Sequence, residues 1–208
     1  MPSTATYAWG ASGIVAVGLL AGGWFALQPS DALAECGGGI ATGAATIGGP
    51  FELVNSAGLT VTEKQVIDKP TLIYFGYTFC PDVCPMDVAV MGQAVEILQE
   101  GGREVGSAFI TIDPERDTTE VVGEFASAMH DDMIGLTGSD AQIEAAADAY
   151  KVYYAKVEGD DPEYYLVDHS AFTYLMDPGS GFLQVYRHGE PPEAIAESVA
   201  CFYDALGA

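Results

Sequence analysis

Residues 71–77, Thr-Leu-Ile-Tyr-Phe-Gly-Tyr, form an apolar run with no alternating polar positions. A strand of this kind is buried on both faces, so the rest of the chain must cover it from two sides. The segments around it have the patterns to do so. Val90, Met91, Ala94, Val95 and Leu98 repeat at helical spacing within residues 86–99. Val121, Val122, Phe125 and Met129 share one helical face behind Thr118, a good N-cap. Ser139 or Asp140 opens a third helix ending at Tyr150, and residues 191–206 read as a closing amphipathic helix. Further strands are expected at 105–112, at 134–136 and, more weakly, at 152–157. Residues 171–176 and 182–187 flank Asp177-Pro178-Gly179-Ser180-Gly181, a strong turn signal. Residues 51–54 and 59–62 flank a second turn and read as a hairpin. This order of strands and helices predicts an α/β fold with a mixed sheet flanked by helices.

The N-terminal quarter is of another kind. Residues 7–27 contain neither a charged nor an amide side chain. As a helix at about 1.5 Å per residue they would span roughly 30 Å, a bilayer core. Trp9 and Trp24 lie near the two ends, at the depth amphipathic rings favour. Ala32-Leu33-Ala34 has the form of a signal-peptidase site, but the apolar run is long for a signal and no Lys or Arg precedes it. The reading adopted is an uncleaved transmembrane anchor over residues 1–30. A glycine-rich flexible tether follows over 31–49, and one domain over 50–208. Loop charge says little about orientation, since the first cation of the chain is Lys64.

Thirty acidic against seven basic residues give a formal net charge of −23. Phosphate binding needs clustered cations, so this balance excludes nucleic acid as a partner. It reads first as a solvated acidic surface, and second as a field that steers a basic protein or a cation. The acidic segment 158–163 reads as an exposed hairpin tip.

Four cysteines are too few for a disulfide scaffold. Cys36, in the tether, and Cys201, in the last helix, read as separate free thiols, a bridge between them being the alternative. Cys80 and Cys84 differ, because they follow the apolar strand and Pro85 stands where a helix begins. Cys84 is then near a helix N-terminus, where the dipole favours a thiolate, and both thiols are expected to be partly exposed and reactive. Three intervening residues, rather than two, allow either a disulfide or two sulfurs opened toward one soft metal ion. Two thiolates at a copper site usually need an imidazole as well. Of the three histidines, His130 reads as a helix C-terminal charge and His188 as a surface loop residue near Glu190. His169, in Asp168-His169-Ser170, opens an apolar strand from which a loop can project a ligand, and Asp168 can hold its other ring nitrogen. Tyr74, Tyr77 and Phe79 are expected to shield the cysteines, and Met86 to pack rather than ligate. Asp113 to Thr118 reads as a structural strand–helix turn with good cap chemistry.

Four stretches, GGPFELVNSAGLTVTE, KPTLIYFGYTFCPDVCP, FITIDPERDT and VDHSAFTYLMDP, resemble the Sco/SenC family, in order from about Gly48 to Leu206. The resemblance implies a thioredoxin-like fold with added elements. It implies redox-active thiols at Cys80 and Cys84, and copper held by Cys80, Cys84 and His169. It also implies a metallochaperone role at the binuclear copper centre of cytochrome c oxidase, with the copper-bearing subunit and other copper chaperones as partners. The expected setting is a bacterial cytoplasmic membrane with the soluble domain in the periplasm, a mitochondrial inner membrane being the alternative. Two other functions use the same residues: a thiol–disulfide reductase acting on the acceptor's cysteines, and a copper or redox sensor. The reductase needs no His169, whereas the copper carrier does.

Overall fold

The structure, a computed structural model, describes residues 32–36, 47–157 and 164–208. The anchor expected over residues 7–27, most of the tether and the acidic segment 158–163 lie outside the described residues. Among the described residues no helix is long and apolar enough to cross a membrane.

The apolar run forms β3 (Thr71–Gly76), with all six residues buried. It lies inside a seven-stranded sheet with β1 (Glu52–Asn55), β2 (Thr60–Thr62), β4 (Gly106–Thr111), β5 (Ile134–Thr137), β8 (Phe172–Asp177) and β9 (Gly181–Arg187). The strand order is β2-β1-β5-β4-β3-β8-β9. Strands β3, β4 and β5 run parallel, joined by helical crossovers, and the remaining pairs are antiparallel. This is the thioredoxin-like mixed sheet that the resemblance implies. Two further strands, β6 (Tyr154–Val157) and β7 (Leu166–His169), pair with each other in a separate two-stranded sheet.

Helix α3 (Val83–Glu100) connects β3 to β4, and α4 (Thr119–Met129) connects β4 to β5. The closing helix α6 (Pro192–Leu206) packs on α3, and α3 also packs on α4. On β3, Tyr74 reaches Asp87 of α3, whereas Phe75 meets Tyr150, the last residue of α5 (Asp140–Tyr150). Successive side chains thus enter opposite layers, as the pleat requires. Each fully buried large side chain there contributes about 1.5–3 kcal/mol of apolar transfer.

Local rules set the helix ends. Thr118 accepts the Val121 amide at 3.4 Å, and Ser139 and Gln142 form a capping box. The short α2 (Glu63–Val66) was not expected. Its start was written in the sequence, for Gln65 takes the Thr62 amide at 2.9 Å. Gly135 permits the close approach of β5 and α4: a Cβ there would lie 2.2 Å from the Val122 carbonyl.

The reading of Cys36 and Cys201 as free thiols is overturned. They form a disulfide, with Cα atoms 5.6 Å apart and 165 positions apart in sequence, which joins α1 (Ala32–Cys36) to α6. A pairing across that separation leaves no mark in local sequence.

Candidate metal centre

Strand β3 ends at Gly76, and the chain turns through residues 77–82 before α3 begins. Cys80 stands on this turn, its amide bonded to the Tyr77 carbonyl at 3.2 Å. Cys84 is the second residue of α3. Asp82, at the N-cap, makes no side-chain cap bond. The Cys80 sulfur does part of that work, accepting the Cys84 amide at 3.4 Å. The turn and the helix start together bring the two sulfurs to one point.

Neither thiol is partly exposed, as the sequence had suggested. Cys80 is 8% accessible and Cys84 fully buried, and neither is in a disulfide. Gly76 makes this packing possible, because a Cβ there would lie 3.1 Å from the Cys84 sulfur and 2.8 Å from the Tyr74 ring. Burial pushes the Cys84 thiol well above its ordinary value, with Cys80 adding to the rise. Desolvation therefore outweighs the helix dipole, and metal-free Cys84 is a protonated thiol at neutral pH.

His169 comes from the other sheet. It ends β7, opposite Tyr154 of β6. Its Nε2 lies 3.2 Å from the Cys84 sulfur. Its Nδ1 lies 3.2 Å from the Ser170 carbonyl oxygen, which can only accept. Nδ1 therefore carries the proton, and the Nε2 lone pair faces the sulfurs. Asp168, expected to hold that nitrogen, is exposed and does not; it sits opposite Ala155, on the strand face away from His169. Burial lowers the His169 pKa, which keeps the ring neutral and able to donate its lone pair at neutral pH.

The sulfurs of Cys80 and Cys84 and a ring nitrogen of His169 all lie within 4.8 Å of one another. Two thiols and one imidazole form a soft donor set suited to Cu(I). Tyr74 and Tyr77 close over it, their rings edge-on to the imidazole at 6.1 and 6.0 Å. Phe79 does not shield the site as expected. It is 47% exposed and lies against Arg116 and Tyr164. Met86, also 47% exposed, is not part of the core, which leaves the packing role assigned to it without support.

Two neighbouring groups, read from the sequence as a surface histidine and a structural turn, do more than that. His188 is no isolated loop residue, because its Nδ1 contacts the Asp87 carboxylate at 2.7 Å. The other Asp87 oxygen accepts the Tyr74 hydroxyl at 3.2 Å. Asp87 is 8% accessible, and its place on the inner face of α3 was readable from the helical period at Val88, Met91 and Val95. The second group is the 113–118 turn. Asp117, fully buried, accepts the Thr78 amide at 3.0 Å and the Thr111 hydroxyl at 2.6 Å. The turn therefore fixes the cysteine loop as well as capping α4. His130 caps the end of α4, its amide bonded to the Ala126 carbonyl at 3.0 Å.

Residues 40–204 match the family model described as SCO1/SenC. The chain is 47% identical over 203 residues to protein SenC of Rhodobacter capsulatus, covering 98% of this chain and 91% of that one. The crystal structure of Arabidopsis thaliana ScoI with copper bound is 41% identical, with a TM-score of 0.71 over 76% of this chain and 99% of that one. BsSco, a member of the Sco family of cytochrome c oxidase assembly proteins with an identified disulfide switch, is 25% identical. Its TM-score is 0.61 over 79% of this chain and 95% of that one.

Proposed function

The chain belongs to the SCO1/SenC family, and we propose that it is a membrane-anchored copper metallochaperone delivering copper to the binuclear copper centre of cytochrome c oxidase. The observation that carries this reading is the imidazole. A neutral ring aims a free lone pair at two unpaired sulfurs, all three within 4.8 Å. The copper-bound relative and the assembly role named for BsSco support the same reading.

Copper is the cargo. Loading Cu(I) displaces the thiol protons, so two thiolates and a neutral imidazole hold the ion at formal charge −1. Cys80 is the more accessible of the two residues, so release begins there, with sulfur or imidazole ligands of the acceptor replacing this chain's donors in turn. Oxidation of Cys80 and Cys84 to a disulfide removes both thiolates, so redox state gates loading. The apolar segment 7–27 serves as the anchor, and residues 31–49 link it to the domain at 50–208, on the periplasmic side of a bacterial membrane.

A thiol–disulfide reductase acting on the acceptor would use the same two sulfurs and no imidazole. In that chemistry Cys80, the more accessible residue, would attack and Cys84 would resolve the mixed disulfide, so the two sulfurs alone do not separate the readings and the imidazole does. The deciding experiment is an anaerobic Cu(I) titration of the full chain in detergent, with Cys80 and Cys84 reduced, against a competing chelator. The wild type should take one equivalent. His169→Ala should lose about 100-fold or more in affinity, a ligand counting for at least as much as its outer neighbours. Equal affinity in both proteins would discard the carrier reading and leave the reductase.

A further inference from the structure

The hairpin of β6 and β7 pairs with no strand of the main sheet, yet its last residue supplies the imidazole. Something other than the seven-stranded ladder must hold it down along its length. Val167 of β7 is buried in the core and Lys156 of β6 pairs with Glu115, while a further set of contacts converges on one side chain. Arg116 Nε donates to Asp113 Oδ2 at 2.5 Å, and Asp113 is fully buried. Arg116 Nη1 donates to the Tyr165 carbonyl, at the foot of β7, at 2.9 Å. The guanidinium lies 3.7 Å from the centre of the Tyr165 ring, 4.7 Å from that of Phe79 and 5.7 Å from that of Tyr77. Among the described residues its buried Nη2 has no hydrogen-bond partner, a cost that these aromatic faces offset by cation–π attraction. The Tyr165 hydroxyl closes the loop by donating to Asp113 Oδ1 at 2.7 Å.

One cation therefore joins three segments: the cysteine loop through Tyr77 and Phe79, the acidic turn through Asp113, and the hairpin through Tyr165. Tyr77 is also the ring against His169. Resting on the copper-carrier reading above, we propose that Arg116 is a positioning residue that seats the His169 hairpin over Cys80 and Cys84, acting through Tyr165 and Tyr77 without touching the metal. A lysine keeps the charge but has neither the flat face nor the fork that the three contacts require.

The test is a double-mutant cycle in the full chain with reduced Cys80 and Cys84. Arg116→Lys should weaken Cu(I) binding about tenfold, within the span usual for outer neighbours of metal ligands. In the His169→Ala background the same change should cost less than about twofold, because the group it positions is gone. Without metal, nuclear Overhauser contacts from the His169 ring to the Tyr74 and Tyr77 rings should weaken in Arg116→Lys. Tyr165→Phe removes the hydroxyl's bonds to Asp113 and, at 3.5 Å, to Glu115 while keeping the ring, and should shift affinity in the same direction, by about two- to fivefold. It carries the test if Arg116→Lys fails to fold. Equal losses in the two backgrounds, unchanged ring contacts, or unchanged affinity in Tyr165→Phe would overturn the proposal. A wild type that takes no copper would instead fail the carrier reading itself.

Discussion

Cys84 stands under two opposing demands. Packed beneath Gly76 with no exposed surface, it is held as a neutral thiol, yet it can bind a metal only as a thiolate. The metal must therefore displace a proton that the fold retains. Because the Cys84 pKa is raised, that proton is present throughout the neutral range. Apparent Cu(I) affinity should climb about tenfold for each pH unit between 6 and 8 for each proton displaced. Calorimetry in buffers of different ionisation heat would count the protons released, and an affinity flat across that range would contradict the burial argument. The ligand spacing at this scale was legible, since Cys80, Cys84 and His169 are all prominent in the sequence. Their protonation was not. The helix start at Cys84 suggested an easy thiolate, and only packing against Gly76 and Tyr74 shows that desolvation wins.

Among the elements, those with one strong local period were the easiest to read. β3, β4, α3, α4 and α6 follow from apolar spacing, and Thr118 and Ser139 cap the helices where their side chains predict. β7 was missed as a strand. Only four residues long, it pairs solely with β6, and a reading centred on the polar triplet at Asp168 took it for a loop. The Cys36–Cys201 bridge was passed over for a related reason, since neither α1 nor α6 signals the other. Closing a loop of 165 positions restricts the unfolded chain strongly, so Cys201→Ser should destabilise the domain by about 2–5 kcal/mol. Chemical denaturation of the full chain in detergent would measure this, with copper stoichiometry unchanged because the bridge contributes no ligand. An unchanged denaturation midpoint would mean that the two thiols are not joined.

Across the whole molecule, several ionisable side chains are buried in their neutral form. Burial raises the phenols of Tyr74 and Tyr150 far above their usual value, and pushes Tyr174 and Tyr186 up to about 12. Above about pH 10 the unfolded chain gives up phenolic protons that the folded chain keeps. The unfolded state then binds fewer protons, and stability falls as pH rises toward 12. Thermal melts of the metal-free protein between pH 8 and 11 should show a steady decline beginning near 10, and a flat profile would refute the buried-phenol account. The fold class was legible because one doubly buried strand demands two covering layers. The seating of the small sheet on the large one was not, since it depends on Arg116 meeting Asp113, Tyr165, Tyr77 and Phe79 from separate parts of the chain. The Cys36–Cys201 bond also has a mechanical side. Any pull arriving through residues before Cys36 enters the domain at α6 by way of a covalent link. Tension entering that way would load the last helix before the first hairpin.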